Sequence, residues 1–173
     1  MVPSVSCVKS FHCRKVESVN GEKVSGHALD RGNPVETTCA SLHEIKREIG
    51  QLPPLARECV LAGVDVPKSG EWSVESRNCL RDLADCDHYK ARVVLRDAKN
   101  RLVTFLYREG DEEVSVNEMM LSEGWGRLEK GAETRFAAYP KILRSMMNYQ
   151  EDAKEDRVGI YQYGDIGFKE DEE

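Results

Sequence analysis

Several side-chain groups along this chain have the types that chemistry needs. Cys79 and the run Cys86-Asp87-His88 supply thiol, carboxylate and imidazole, the donors of a zinc site. They lack a fourth ligand and the paired spacing that holds the metal in known sites, so the donor set argues against zinc. Six cysteines (7, 13, 39, 59, 79 and 86) and four histidines could be assembled into a nucleophilic pair, but no local motif supports one. None of the cysteines forms a CxxC pair, and all six read as small buried hydrophobes. Met119, Met120, Met146 and Met147 read as core filler. Between residues 88 and 108 lie six bases, Lys90, Arg92, Arg96, Lys99, Arg101 and Arg108, against the single acid Asp97. Two chemistries remain open for them: the solvated outer faces of two strands, or a single-stranded RNA surface, for which Phe105 and Tyr107 are the stacking candidates.

The rest of the composition narrows the classes. The chain has 173 residues, 40% apolar and 32% charged, enough to bury a core in one domain or two small ones. The apolar runs are too short for a membrane-spanning helix. The first residues, MVPSVSCVKSFHCRK, carry no signal-peptide core, so a cytoplasmic location, with the nucleus as a second one, is the expectation. Net charge is -6, and residues 151–173, with nine acids against three bases, carry all of it. A neutral body with an acidic end is a poor non-specific binder of phosphates.

The elements that must position these groups can be read in order. Residues 12–19 and 22–29 flank Asn20-Gly21, a type I′ hairpin signal, and Asp30-Arg31-Gly32-Asn33-Pro34 is a second tight turn before a strand at 35–38. With a first strand at 5–9 this makes a small, strongly bent barrel. Ser41-Leu42-His43-Glu44 has the capping-box pattern and predicts a helix ending at Gly50. Gln51-Leu52-Pro53-Pro54 is a rigid connector. Beyond it the sequence predicts a strand at 58–64 and a helix capped by Ser73. Strands at 89–96 and 101–108, a short helix at 117–122 and a strand at 125–128 follow. A final helix opens on Pro140, with Leu143, Met146, Gln150 and Ala153 inward and Gly159 ending it. Tyr161 and Tyr163 are expected to pack back on the lobe. The order suggests an oligonucleotide-binding type of barrel with packed helices.

Particular runs then resemble a known family. Phe11-His12-Cys13-Arg14-Lys15-Val16 and Leu29-Asp30-Arg31-Gly32-Asn33-Pro34 are similar to the paired strands and turn of a Tudor core. Val64-Asp65-Val66-Pro67, Asn100-Arg101-Leu102, Ser115-Val116-Asn117 and Gly124-Trp125 resemble, in order, a staphylococcal-nuclease-like lobe. Gly159-Ile160-Tyr161-Gln162-Tyr163-Gly164-Asp165-Ile166 is the most specific match, to the run that closes the C-terminal extended Tudor region of the Tudor-SN family.

The resemblance implies a mainly β fold with helices (α+β). A Tudor SH3-like barrel and linker helix would occupy residues 1–50, a nuclease-like OB-type lobe 51–166, and an acidic tail 167–173. It also implies that a strand pair preceding the Tudor core completes the lobe. No residues here match that pair, so an upstream segment or another chain is expected to supply it. By the same resemblance the nuclease site is degenerate. Asp65 and Arg101 are retained, while Val60 replaces an arginine and Lys68 replaces the glutamate, so no catalytic residue and no metal or other cofactor is implied. The methylarginine cage maps to Ser10, His12, Ala28, Arg31 and Asn33, and only the asparagine keeps its type. The expectation is a non-catalytic protein-interaction module of RNA-processing, RNA-silencing and transcription-coactivator complexes. Its partners are proteins, not membranes, with RNA contact through Lys90, Arg92, Arg96, Lys99, Arg101 and Arg108 as the alternative.

Overall fold

The computed structural model describes residues 5–8, 12–68, 70–84 and 88–165, with side chains from residue 15 onward. The chain divides into two compact units between Glu58 and Cys59.

In the first unit β1 (Val5–Val8), β2 (His12–Asn20), β3 (Lys23–Ala28), β4 (Pro34–Thr38) and β5 (His43–Glu44) form one antiparallel sheet in the order β4-β3-β2-β1-β5. The hairpin between β2 and β3 turns on Gly21-Glu22, since Asn20 still pairs with Lys23. Gly21 has φ 62° and Asn20 is not left-handed, so the turn has the glycine-first pattern of type II′ and not the expected I′. The helix expected over 41–50 shrinks to α1 (Arg47–Gly50) after a short 3-10 turn, Cys39–Ser41. The Ser41 hydroxyl donates to the Thr38 carbonyl at 2.8 Å rather than capping a helix, and His43 and Glu44 pair with Cys7 and Ser6. A free strand edge has outcompeted a local capping pattern.

In the second unit the expected strand over 58–64 is broken by a turn at Ala62-Gly63 into β6 (Cys59–Leu61) and β7 (Val64–Asp65). Helix α2 (Gly70–Leu83) starts three residues before Ser73, whose carbonyl accepts from Arg77 Nε. β8 (Tyr89–Arg96) and β9 (Leu102–Arg108) form an antiparallel pair, and β6 lies parallel to β9, giving the order β6-β9-β8. α3 (Val116–Ser122) opens with a full capping box between Ser115 and Glu118. β10 (Arg127–Leu128) pairs with β7, and α4 (Ala132–Arg135) leads into α5 (Pro140–Glu155), which has proline in its first turn. Leu143, Met146 and Ala153 of α5 are buried, and Gln150 Oε1 accepts the Leu128 amide at 2.7 Å.

The core of this unit is built on Phe105, which meets Phe136 and Tyr139 edge-on at 6.1 and 5.7 Å. Ala62, Val103, Leu121 and Met146 fill around it. Several expected core residues lie elsewhere. Cys39 and Cys59 are exposed, Cys79 is half-buried, and the remaining cysteines lie outside the side chains described. Met120 and Met146 are core, but Met119 is half-buried and Met147 exposed. Tyr161 is buried while Tyr163 is 74% exposed. Among the described residues no helix is long and apolar enough to cross a membrane.

Candidate functional site

Asp65 lies on β7, exposed, opposite Arg127 of β10. Arg101 lies just before β9, and its Nε donates to Asp97 Oδ2 at 2.6 Å. Asp97 Oδ1 also accepts the backbone amides of Lys99 and Arg101, at 2.9 and 2.8 Å. Burial pushes the Asp97 carboxyl up, but the backbone and side-chain hydrogen bonds from Arg101 outweigh it, and the carboxyl sits below its ordinary range. Arg101 thus braces the 97–101 turn, whose Asn100 adopts φ 61°. Val60 is half-buried in the wall of an apolar cavity with Leu61, Val64, Leu80 and Met120, and Lys68 is exposed. Among the described residues no three histidine, cysteine or acidic groups converge on a metal position. Cys86 and Asp87 lie outside those residues.

Much of the basic segment is engaged within the β8–β9 hairpin, its turn and the loop after β9. Lys90 pairs with Glu112, and the bond raises the lysine and lowers the glutamate from their ordinary values. The Arg92 guanidinium lies 5.4 Å from the Tyr107 ring centroid. Arg96 donates to Asn100 Oδ1 at 3.2 Å. Lys99 and Arg108 are exposed. The stacking candidates are internal: Phe105 is fully buried and Tyr107 is 6% exposed, so neither offers a free face to a base.

Of the five cage positions, Ser10 and the His12 side chain lie outside the described residues and side chains. Ala28 ends β3, buried, with its amide donating to the Asn33 carbonyl at 3.0 Å and its carbonyl accepting the Gly32 amide at 2.7 Å. That pair of bonds closes the turn and leaves Arg31 and Asn33 exposed at its tip. The turn therefore brings Ala28, Arg31 and Asn33 together, and none of the three presents an aromatic face.

Asn117 was visible in the sequence as part of an ordered match, but its work was not. Fully buried on α3, its Nδ2 donates to the carbonyls of Ala62 and Thr104 at 2.9 and 3.0 Å, and its Oδ1 accepts the Leu106 amide at 3.0 Å. One amide side chain ties α3 to β9 and to the turn after β6. The run after Gly159 is equally fixed. Tyr161 is buried beneath the Arg127 guanidinium, and Asp165 pairs with Arg127 at 2.5 Å and Lys154 at 3.3 Å.

Residues 58–163 match the model of the staphylococcal nuclease homologue family. The chain belongs to that family. It is 30% identical over 159 residues to Ribonuclease TUDOR 1 of Arabidopsis thaliana and 28% identical over 151 residues to Ribonuclease TUDOR 2 of the same plant. The matches cover 84% and 80% of this chain but only 16% and 15% of those proteins, so the chain spans about one sixth of their length. Among solved structures it superposes on the extended Tudor domain of Drosophila melanogaster Tudor-SN with TM-score 0.77 at 20% identity, covering 91% of this chain and 74% of that one. The human TDRD1 extended Tudor domain, solved in complex with a symmetrically dimethylated peptide, superposes with TM-score 0.64 at 24% identity over 75% of this chain and 66% of its own. This staphylococcal nuclease homologue thus has the fold of an extended Tudor domain, as the C-terminal region of Tudor-SN does.

Proposed function

We propose that this chain is a non-catalytic protein-interaction module of a larger Tudor-SN-type protein that works in RNA-processing complexes in the cytoplasm and nucleus. The observation that carries the reading is Arg101, whose guanidinium is committed to Asp97 in a turn. Phosphodiester cleavage needs arginine free to meet developing negative charge, with a carboxylate-held metal beside it. Val60 in an apolar wall and Lys68 in solvent supply neither. The ribonuclease in the relatives' name belongs to proteins about six times as long. Incubating the chain with labelled RNA and Ca²⁺ tests this: no cleavage is expected, and metal-dependent cleavage abolished by Asp65→Ala would refute it.

The superpositions leave about a quarter of one structural neighbour and about a third of the other uncovered. Among the described residues, β6 and β8 are the two outer strands of the sheet β6-β9-β8. Those edges suit strands from an upstream segment or a second protein, and we place the main protein contact there. RNA contact is the second reading, carried by Lys99 and Arg108 on the surface of the β8–β9 hairpin; the burial of Phe105 and Tyr107 ranks it below the first.

A further inference from the structure

The register of β1 and β2 sets Cys7 directly opposite Cys13. On the other side of β1, His43 of β5 is the register partner of the same Cys7. Directly opposed residues of neighbouring strands belong to one face of a sheet. Cys13, Cys7 and His43 therefore form one row across β2, β1 and β5. Cys39 lies in the 3-10 turn Cys39–Ser41, Cys59 is opposite Leu102, and Cys79 is on α2. Among the described residues, no other two cysteines are register partners.

The spacing of such a pair suits a covalent bond. Opposed residues of an antiparallel pair have Cα atoms about 4.5 or about 5.5 Å apart, depending on whether their amides bond each other. A disulfide spans about 4.4–6.8 Å between Cα atoms, so either kind of pair lies within reach without moving the backbone. Cys13 follows Cys7 by six positions, so each thiol meets the other within one chain. An imidazole in the same row is a neighbour that favours the thiolate, which is the reacting form, and His43 is exposed.

We propose that Cys7 and Cys13 are a reversible dithiol–disulfide site oxidised by peroxide. The Cys7 thiolate attacks one oxygen of hydrogen peroxide, the O–O bond breaks, and hydroxide leaves as the sulfur becomes a sulfenic acid. The Cys13 thiolate then attacks that sulfur, forming the S–S bond and expelling a second hydroxide. With the two thiol protons, both hydroxides leave as water. Two thiols are oxidised and one peroxide is reduced, and a small dithiol reverses the bond by exchange. The disulfide fastens β1, the strand that holds β5 in the sheet, to β2 one residue from His12.

The test treats the reduced full chain with hydrogen peroxide, blocks the remaining thiols with iodoacetamide and maps tryptic peptides without reduction. Trypsin cuts after Lys9 and Arg14, so the two cysteines fall on separate peptides, 1–9 and 10–14. The expected product joins these two peptides, forms at the same rate when the protein is diluted, and is lost on adding dithiothreitol. Cys13→Ser should abolish it and leave Cys7 as the sulfenic acid, trapped by dimedone. His43→Gln should form the disulfide several-fold more slowly near neutral pH, with the gap closing in alkali; equal rates would overturn the part given to His43. Recovery of Cys7 and Cys13 both alkylated, while the exposed Cys39 and Cys59 have oxidised, overturns the proposal. So does a bond from Cys7 to a different cysteine, or one whose rate falls on dilution.

Discussion

Gly124 and Gly159 meet backbone to backbone: the Gly124 carbonyl accepts the Ile160 amide at 2.9 Å, and a Cβ on Gly159 would lie 2.2 Å from that same oxygen. A Cβ on Gly124 would lie 2.5 Å from the Val158 carbonyl oxygen. Both glycines have positive φ, 68° and 57°. Neither clash can be relieved by turning a flexible side chain, because the opposing atoms are main chain. Gly159→Ala and Gly124→Ala are each expected to destabilise the second unit by about 2–4 kcal/mol. Urea unfolding followed by Trp72 and Trp125 fluorescence should show the lower midpoint; a shift no larger than that of an exposed Gly110→Ala control would refute the close approach.

The turn of Asp97 should give the stability of this chain a defined acid limb. Its folded carboxyl titrates below the ordinary value, so the unfolded state binds the proton first as pH falls. The stabilisation is fully present above the unfolded pKa of about 3.9 and is lost as pH drops through the lower folded value. Asp97→Asn should therefore be less stable than the parent at about pH 6, and the gap should narrow below about pH 4. A gap independent of pH would show that the hydrogen bonds of Asp97, and not its charge, carry the effect.

Thiol labelling should separate the cysteines by place. Burial, reinforced by Glu123 and Asp82, pushes the Cys79 thiol up to about 11, whereas Cys39 and Cys59 are exposed. Iodoacetamide at about pH 8 should modify Cys39 and Cys59 well before Cys79, because the thiolate is the reacting species. The Cys79 rate should keep climbing toward pH 11. Equal rates at neutral pH, read by mass spectrometry of peptides, would contradict this.

Symmetrically dimethylated arginine peptides should bind no better than unmethylated ones. Methyl groups gain affinity by fitting between aromatic faces, and Ala28, Arg31 and Asn33 offer none. Calorimetric titration of matched peptides checks it. A preference for the methylated form that is lost in Asn33→Ala or His12→Ala would reveal a cage built from other residues.

What could be read in advance follows from the range of the forces involved. The alternation at Tyr89–Arg96 and the proline opening α5 are local signals, and both elements formed where expected. Ser41-x-x-Glu44 and Ser115-x-x-Glu118 carry the same pattern, yet only the second caps a helix. The difference lies in β1, which offers His43 and Glu44 a strand to pair with, and no local window contains that information. The Arg101–Asp97 pair lies within one turn and was legible in principle from its spacing. Lys90–Glu112 and the three bonds of Asn117 join residues far apart in sequence, so the basic segment looked freer and Asn117 plainer than they are. Tyr161 and Tyr163 differ because one lies in the 3-10 turn Gly159–Tyr161, beneath Arg127, and the other lies beyond it.

The parallel pairing of Cys59 with Leu102 also has a consequence for synthesis. β6 leaves the ribosome before its partner exists and must wait through α2 and β8 for β9. The wait lengthens at the other end, because Ile160 and Tyr161 complete the cluster around Trp72 and Trp125. A nascent chain paused before residue 160 lacks the two large side chains that pack with Trp72 and Trp125, and exposed apolar surface of that kind makes partly folded chains prone to aggregate. The order of translation thus makes the second unit depend on residues 160 and 161, made long after β6, and a second unit truncated within 159–165 should be lower in abundance.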